Sequence, residues 1–186
     1  MSMLKKILLA SLALLTVPAF AQEQVTVDYN YDGNANLSSI RAAVKISEFS
    51  DGRSVDNPNL IIAQGLGSDA GYSAEAPLAE IVRDAFVQAL TKGEANIVEA
   101  DEEMQVVGEI LDSSAELVDQ DGVESIQLTI RTAIQLQRGP RTLFETTLFG
   151  RGVAAADEGL AAAVHAALDR MVRELTGDDY FLMRLN

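Results

Sequence analysis

The sequence has no cysteine, no tryptophan and one histidine, His165, among its 186 residues. Without cysteine there is no disulfide, so a folded chain has to depend on its buried core. Zinc sites of ordinary composition are disfavoured with it, because carboxylates and a lone histidine suit harder ions. The absence of tryptophan removes the usual stacking platform for sugar rings, although four tyrosines remain. Basic residues are scarce as well: 14 Lys and Arg stand against 28 Asp and Glu, a formal balance of −14. Nucleic acid and anionic lipid both demand a basic footprint and are excluded on that ground. An acidic surface instead serves solubility.

What is present begins with a leader. Lys5 and Lys6 precede the apolar run Ile7 to Val17, and Ala19 and Ala21 supply small residues at −3 and −1 of a cleavage site. The run is shorter than the roughly 20 residues of a membrane span. The expectation is a signal peptide at 1–21, cut after Ala21, followed by a single periplasmic α+β domain at 22–186 with no membrane span. Loss of Lys5 and Lys6 takes the formal balance from −14 to −16.

Periodicity then orders the chain. "QVTVDYN" alternates Val25, Val27 and Tyr29 on one side, and "IRAAVKISEFS" alternates Ala42, Val44 and Ile46; both read as strands. Ser50 to Ser73 is rich in Gly, Ser, Asp and Pro around an apolar "LIIA", and reads as one long loop, functional or mobile. In "APLAEIVRDAFVQALTKG", Leu78, Ile81, Val82, Ala85, Phe86, Ala89 and Leu90 form one helical stripe. Pro77 suits its first turn and Gly93 its C-terminal stop. "NIVEA" is a short strand and "MQVVGEILDSSAELV" a longer one that ends in the turn "DQDG".

"SIQLTIRTAIQLQ" places Ile126, Leu128, Ile130, Ile134 and Leu136 on one face and Gln127, Thr129, Arg131, Gln135 and Gln137 on the other. One face therefore meets a core and the other water. "RGPR" turns the chain into "TLFETTLFGRG", and Asp157 is expected to cap a helix with the stripe Leu160, Val164, Ala167, Leu168, Met171, Val172 and Leu175. The fold expected is α+β: an antiparallel sheet of about five strands with two amphipathic helices on one face.

A strand running into "FSDGRSV", the helix "LAEIVRDAFVQALTKG", "VVGEI", the paired strands and the terminal "LAAAVHAALDRMVRELTGDDYF" are together similar to the uncharacterised bacterial lipoproteins of the YajG family. The resemblance implies an envelope protein of that fold with no established catalytic residues. Proteins of that family carry a lipidated cysteine after the signal; here Gln22 follows Ala21, so no lipid anchor of that kind is available.

"DYNYDGNANLSS" places Asp28, Asn30, Asp32, Gly33 and Asn34 at positions 1, 3, 5, 6 and 7 of a calcium loop. Position 12 is Ser39 rather than the bidentate glutamate, and no helix enters, so the segment reads as a turn and Asp28, Asn30 and Asp32 as weak metal candidates. His165 lies one residue off the second helix's stripe, which suits a packing role better than a catalytic triad. The acidic run Glu99 to Glu103 reads as a solvated loop, and Gly65 to Gly71 lacks the lysine of a phosphate loop. Asp51 and Arg53 stand at the mouth of the long loop, where a local ion pair and a partner-binding edge are both open. No catalytic residue and no cofactor is assigned. The function expected is a non-enzymatic envelope binding or adaptor module with an envelope protein or peptidoglycan-associated partner. The alternative is a small carboxylate-dependent hydrolase or ligand-binding protein of the periplasm.

Overall fold

The structure, a computed structural model, describes residues 22–186. The leader expected at 1–21 lies outside the described residues. In chain order the elements are β1 (Glu23–Val25), β2 (Val44–Ile46), β3 (Ser50–Asp51), β4 (Leu60–Ile62), β5 (Tyr72–Ala74), α1 (Leu78–Lys92), β6 (Met104–Gln120), β7 (Val123–Arg138), β8 (Arg141–Ala155), a 3-10 turn (Ala156–Glu158), α2 (Gly159–Thr176) and α3 (Asp179–Arg184). The fold is α+β.

The main sheet is built on a meander of three long strands. β6, β7 and β8 pair antiparallel in sequence order, through Asp121 and Gly122 at one turn and Gly139 and Pro140 at the other. Asp121 and Gly122 both take positive φ, the geometry that a two-residue hairpin turn requires. The expected alternation holds along β7. Leu128, Ile130, Ile134 and Leu136 are fully buried, and Thr132 between them is buried too, its hydroxyl 3.6 Å from the Met171 sulfur.

β2 and β3 join the far side of β6 in parallel, so the sheet is mixed rather than purely antiparallel. A second sheet, in the order β1-β5-β4, was not anticipated. β1 comes from the strand expected at Val25, while β4 and the start of β5 fall in the stretch read as one long loop, where Leu60, Ile61 and Ile62 are all buried. A strand of three consecutive buried residues shows no alternation, so its signal is easily read as a loop with an apolar patch. What remains without regular structure in that stretch is 52–59 and 63–71.

α1 and α2 carry the expected stripes. Val82, Ala85, Phe86 and Ala89 of α1 and Val164, Leu168, Met171 and Val172 of α2 are buried in one continuous core. Their ends differ from expectation. Asp157 lies in the 3-10 turn ahead of α2 and makes no side-chain cap. Gly93 ends α1 with φ −74°, so freedom of φ is not its role; a Cβ there would press on Leu37 and on the Ala35 carbonyl. Asp178 caps α3, accepting a hydrogen bond from the Phe181 N–H at 2.9 Å. "NIVEA" contributes one isolated parallel bridge, Ile97 to Val44, and "QVTVDYN" a strand only as far as Val25.

Past Val25 the chain runs without regular structure to 43 as a strap across the two helices. Tyr31, Leu37 and Ile40 along it are buried. α2 lies against β8, seated by Gly150 and Gly152: a Cβ at 152 would overlap the Ala163 carbonyl oxygen and the Ala167 amide.

Candidate docking site at the loop mouth

Asp51 closes β3, and two residues later Arg53 turns back on it. The guanidinium binds the carboxylate in a two-point fork, with Nε 2.9 Å from Oδ1 and Nη2 2.7 Å from Oδ2, and the Arg53 amide donates to Oδ1 at 3.0 Å. The remaining nitrogen, Nη1, donates to the Leu60 carbonyl at 2.8 Å and to Ser113 Oγ at 2.6 Å. Ser113 Oγ donates in turn to the Ile61 carbonyl at 2.5 Å. One arginine thus ties the end of β3, the start of the β4–β5 hairpin and the middle of β6.

The side chains of Arg53 and Asp51 are only 6% and 15% exposed. Burial by itself would raise the Asp51 carboxyl, but the hydrogen bonds and charge of Arg53 overcome it and hold the group below its ordinary value. The charges are spent inside the fold. Beside the clamp a cleft of about 330 Å3 is lined by Ser54, Val55, Ala63, Leu111 and Asp112. The loop 63–71 closes on itself through Gly65 and Ser68, which exchange backbone hydrogen bonds, and Tyr72 donates its hydroxyl to the Leu66 carbonyl at 3.0 Å.

Before residue 38 the calcium-like segment is extended and not the turn expected. It is the strap, and Tyr31 divides it. Asp28 and Asn30 line a groove on α1 with Gln88 and Lys92, whereas Asp32 and Asn34 line a cleft of about 450 Å3 on α2 with Asp169 and Arg173. The would-be ligands are therefore spread over two clefts. Among the described residues no three His, Asp or Glu side chains gather as a metal set.

Gln88 grips the strap at both sides, accepting from the Tyr31 amide at 2.9 Å and donating to the Tyr29 carbonyl at 3.2 Å; Lys92 donates to the Tyr31 carbonyl at 3.0 Å. Tyr29 donates its hydroxyl to Asp169 at 2.7 Å and meets His165 edge-on, with ring centroids 5.7 Å apart. Burial first, and then the Asp169 bond, push the Tyr29 phenol far above its ordinary value. His165 thus packs under the strap, with its buried Nε2 unpartnered. Glu99 and Asp101 to Glu103 are exposed on the connection into β6.

No family model and no curated protein matches the sequence. Among solved structures the chain is similar to a Xanthomonas campestris protein of the family designated DUF330. The two are 16% identical over 88% of this chain and 95% of that one, with a TM-score of 0.62. The likeness is one of fold. A hypothetical protein of Chlamydia trachomatis (10% identical, 73% of this chain and 94% of that one, TM-score 0.47) aligns more loosely. So does a minor lipoprotein of Acinetobacter baumannii (8% identical, 73% and 90%, TM-score 0.43). No helix of the described residues is long and apolar enough to cross a membrane.

Sequence reasoning reached Asp51 and Arg53 but missed Ser113, Gln88, Lys92 and the Tyr29–Asp169 pair. Ser113 is 60 residues from Arg53 and Asp169 is 140 from Tyr29. Only the paired register of the sheet and the course of the strap bring them together.

Proposed function

We propose that this chain is a non-enzymatic binding module of the bacterial envelope, related to the YajG-type proteins and exported by a leader at 1–21 that is cut after Ala21. The observation that carries the reading is the Arg53 clamp. A buried, fully engaged arginine fixes β4, the strand that leads into a glycine-rich loop, against β6, which is how rigid scaffolds present recognition loops. The partner is an envelope protein or a peptidoglycan-associated one, met by the loop 63–71 and the cleft beside Leu111. Asp51 and Arg53 act as positioning residues for that surface.

A photo-crosslinking residue placed at Gln64, compared with one at Glu80 on α1, tests this in intact cells. The expected result is a discrete adduct from position 64 that is absent from position 80 and lost when Arg53→Ala is added. Adducts of equal yield from both positions would remove the loop from the reading. Turnover of a peptidoglycan fragment or an ester, abolished by Asp32→Asn or Asp169→Asn in the α2 cleft, would favour a carboxylate-dependent hydrolase instead.

A further inference from the structure

The main sheet has two edges, and they are treated differently. On one side β6 is flanked by β2 and β3, and further along by β4 of the β4–β5 hairpin. On the other, β8 runs for 15 residues with no strand against its outer edge among the described residues. Soluble proteins usually blunt such an edge with proline, lysine, an inward-pointing charge or repeated bulges. β8 has no proline and no lysine, its helix-facing positions from Phe144 to Ala154 carry no charge, and its one irregularity is at Leu143 near the start. The edge is straight and available from Phe144 to Ala155.

We propose that β8 pairs antiparallel with β8 of a second copy, about a two-fold axis at Leu148, so that the sheet continues from one molecule into the next. The register follows from the residues. Glu145 and Arg151 lie three positions to either side of Leu148, both on the exposed face, opposite Gln135 and Thr129 of β7. Centring the pair on Leu148 sets Glu145 of each copy against Arg151 of the other, twice over. The same register sets Leu143 against Val153 and Phe149 against Thr147, covering the 49% exposed Phe149 ring that Arg131 now overlies alone.

Moving the centre to Thr147 sets Glu145 against Phe149 and Arg151 against Leu143, and moving it to Phe149 sets Glu145 against Val153. A half-residue shift sets exposed positions against the buried face. Among registers that pair most of the edge, the one centred on Leu148 is self-complementary in charge and in face.

Sedimentation of the protein produced from the full chain, across a concentration series, is the test. The expected result is a reversible monomer–dimer equilibrium. Glu145→Arg and Arg151→Glu should each weaken it about tenfold, because each replaces two opposite-charge contacts with two like-charge ones. The two changes together should restore it. Glu80→Arg on α1 should leave it unchanged. A protein that is monomeric at every concentration would overturn the proposal, even if it accepted a foreign strand. So would a dimer indifferent to the single reversals or not rescued by the double one. Both side chains are exposed, so the variants should still fold and melt cooperatively. Should one unfold, mixed copies carrying Thr147→Cys and Phe149→Cys decide, because in a chain without cysteine only the introduced pair can crosslink. A crosslink supports the register, and its absence overturns it.

Discussion

From Met104 to Thr176 the chain is held by repeating backbone patterns, while from Glu23 to Ala74 it is held largely by side chains. The later part spends its polar groups in ladders of 14 or 15 paired residues and in a five-turn helix. The earlier part has strands of two or three residues, and its order comes from long-range contacts by Gln88, Lys92, Arg83, Arg53 and Ser113 to backbone carbonyls and amides. A ladder distributes stability over many equivalent bonds, so it tolerates the loss of any polar one. A stapled region concentrates it, so a single side chain can release a whole segment.

The comparison is broken most severely in the ladder's apolar face. Leu128→Asp should prevent folding, since a buried unpaired charge costs several kcal/mol against a total of about 5–15 kcal/mol. Gln127→Lys, on the wet face beside Glu116, should change stability by less than about 0.5 kcal/mol in the same denaturant titration. Next comes Gly152→Val, which forces α2 away from β8. A loss of about 1–3 kcal/mol is expected, with the α2 amides exchanging faster than those of β7.

The staples come third. Arg53→Ala should cost about 2 kcal/mol, since it strands the Asp51 carboxylate and frees a charged hydrogen-bond set. Hydrogen exchange should quicken at 60–71 and remain slow along β7, a separation that a ladder variant would not give. Tyr29→Phe should cost about 1 kcal/mol and loosen the strap locally, because water can replace the hydroxyl at the half-buried Asp169.

The smallest effect is a pH dependence. The Asp51 carboxyl is held below its ordinary value of 3.8. Its contribution is therefore present above that value and lost as the pH falls through the lower folded one. Thermal melts from neutral to acid pH should show an acid limb that is shallower in Asp51→Asn than in the parent. Identical limbs would mean that the clamp does not report on this carboxylate.

The same division governs how far the sequence could be read. α1, α2 and β7 announce themselves because their burial is periodic, and Leu128 and Phe86 fall where the pattern puts them. The small sheet does not, because Leu60, Ile61 and Ile62 are buried on every side and no period survives. The strap resembles a calcium loop because extended backbone between polar residues and a turn share a composition. Only Tyr31, inserted between the helices, distinguishes the two. Asp51 and Arg53 are close in sequence and were legible as a pair. Their third partner, Ser113, belongs to a register that no local window contains.

The parallel pairing of β2 and β3 with β6 also dictates an order of assembly. Val44 meets Met104 and Ser50 meets Glu109 across some 60 residues of chain, while β6, β7 and β8 find one another through two-residue turns. Short loops close in microseconds or less, and distant parallel strands must wait for the surface on which they dock. The meander and α2 therefore form the template, and residues 22–74 are recruited to it afterwards. Made first at the ribosome, this end of the chain is the last to find its place.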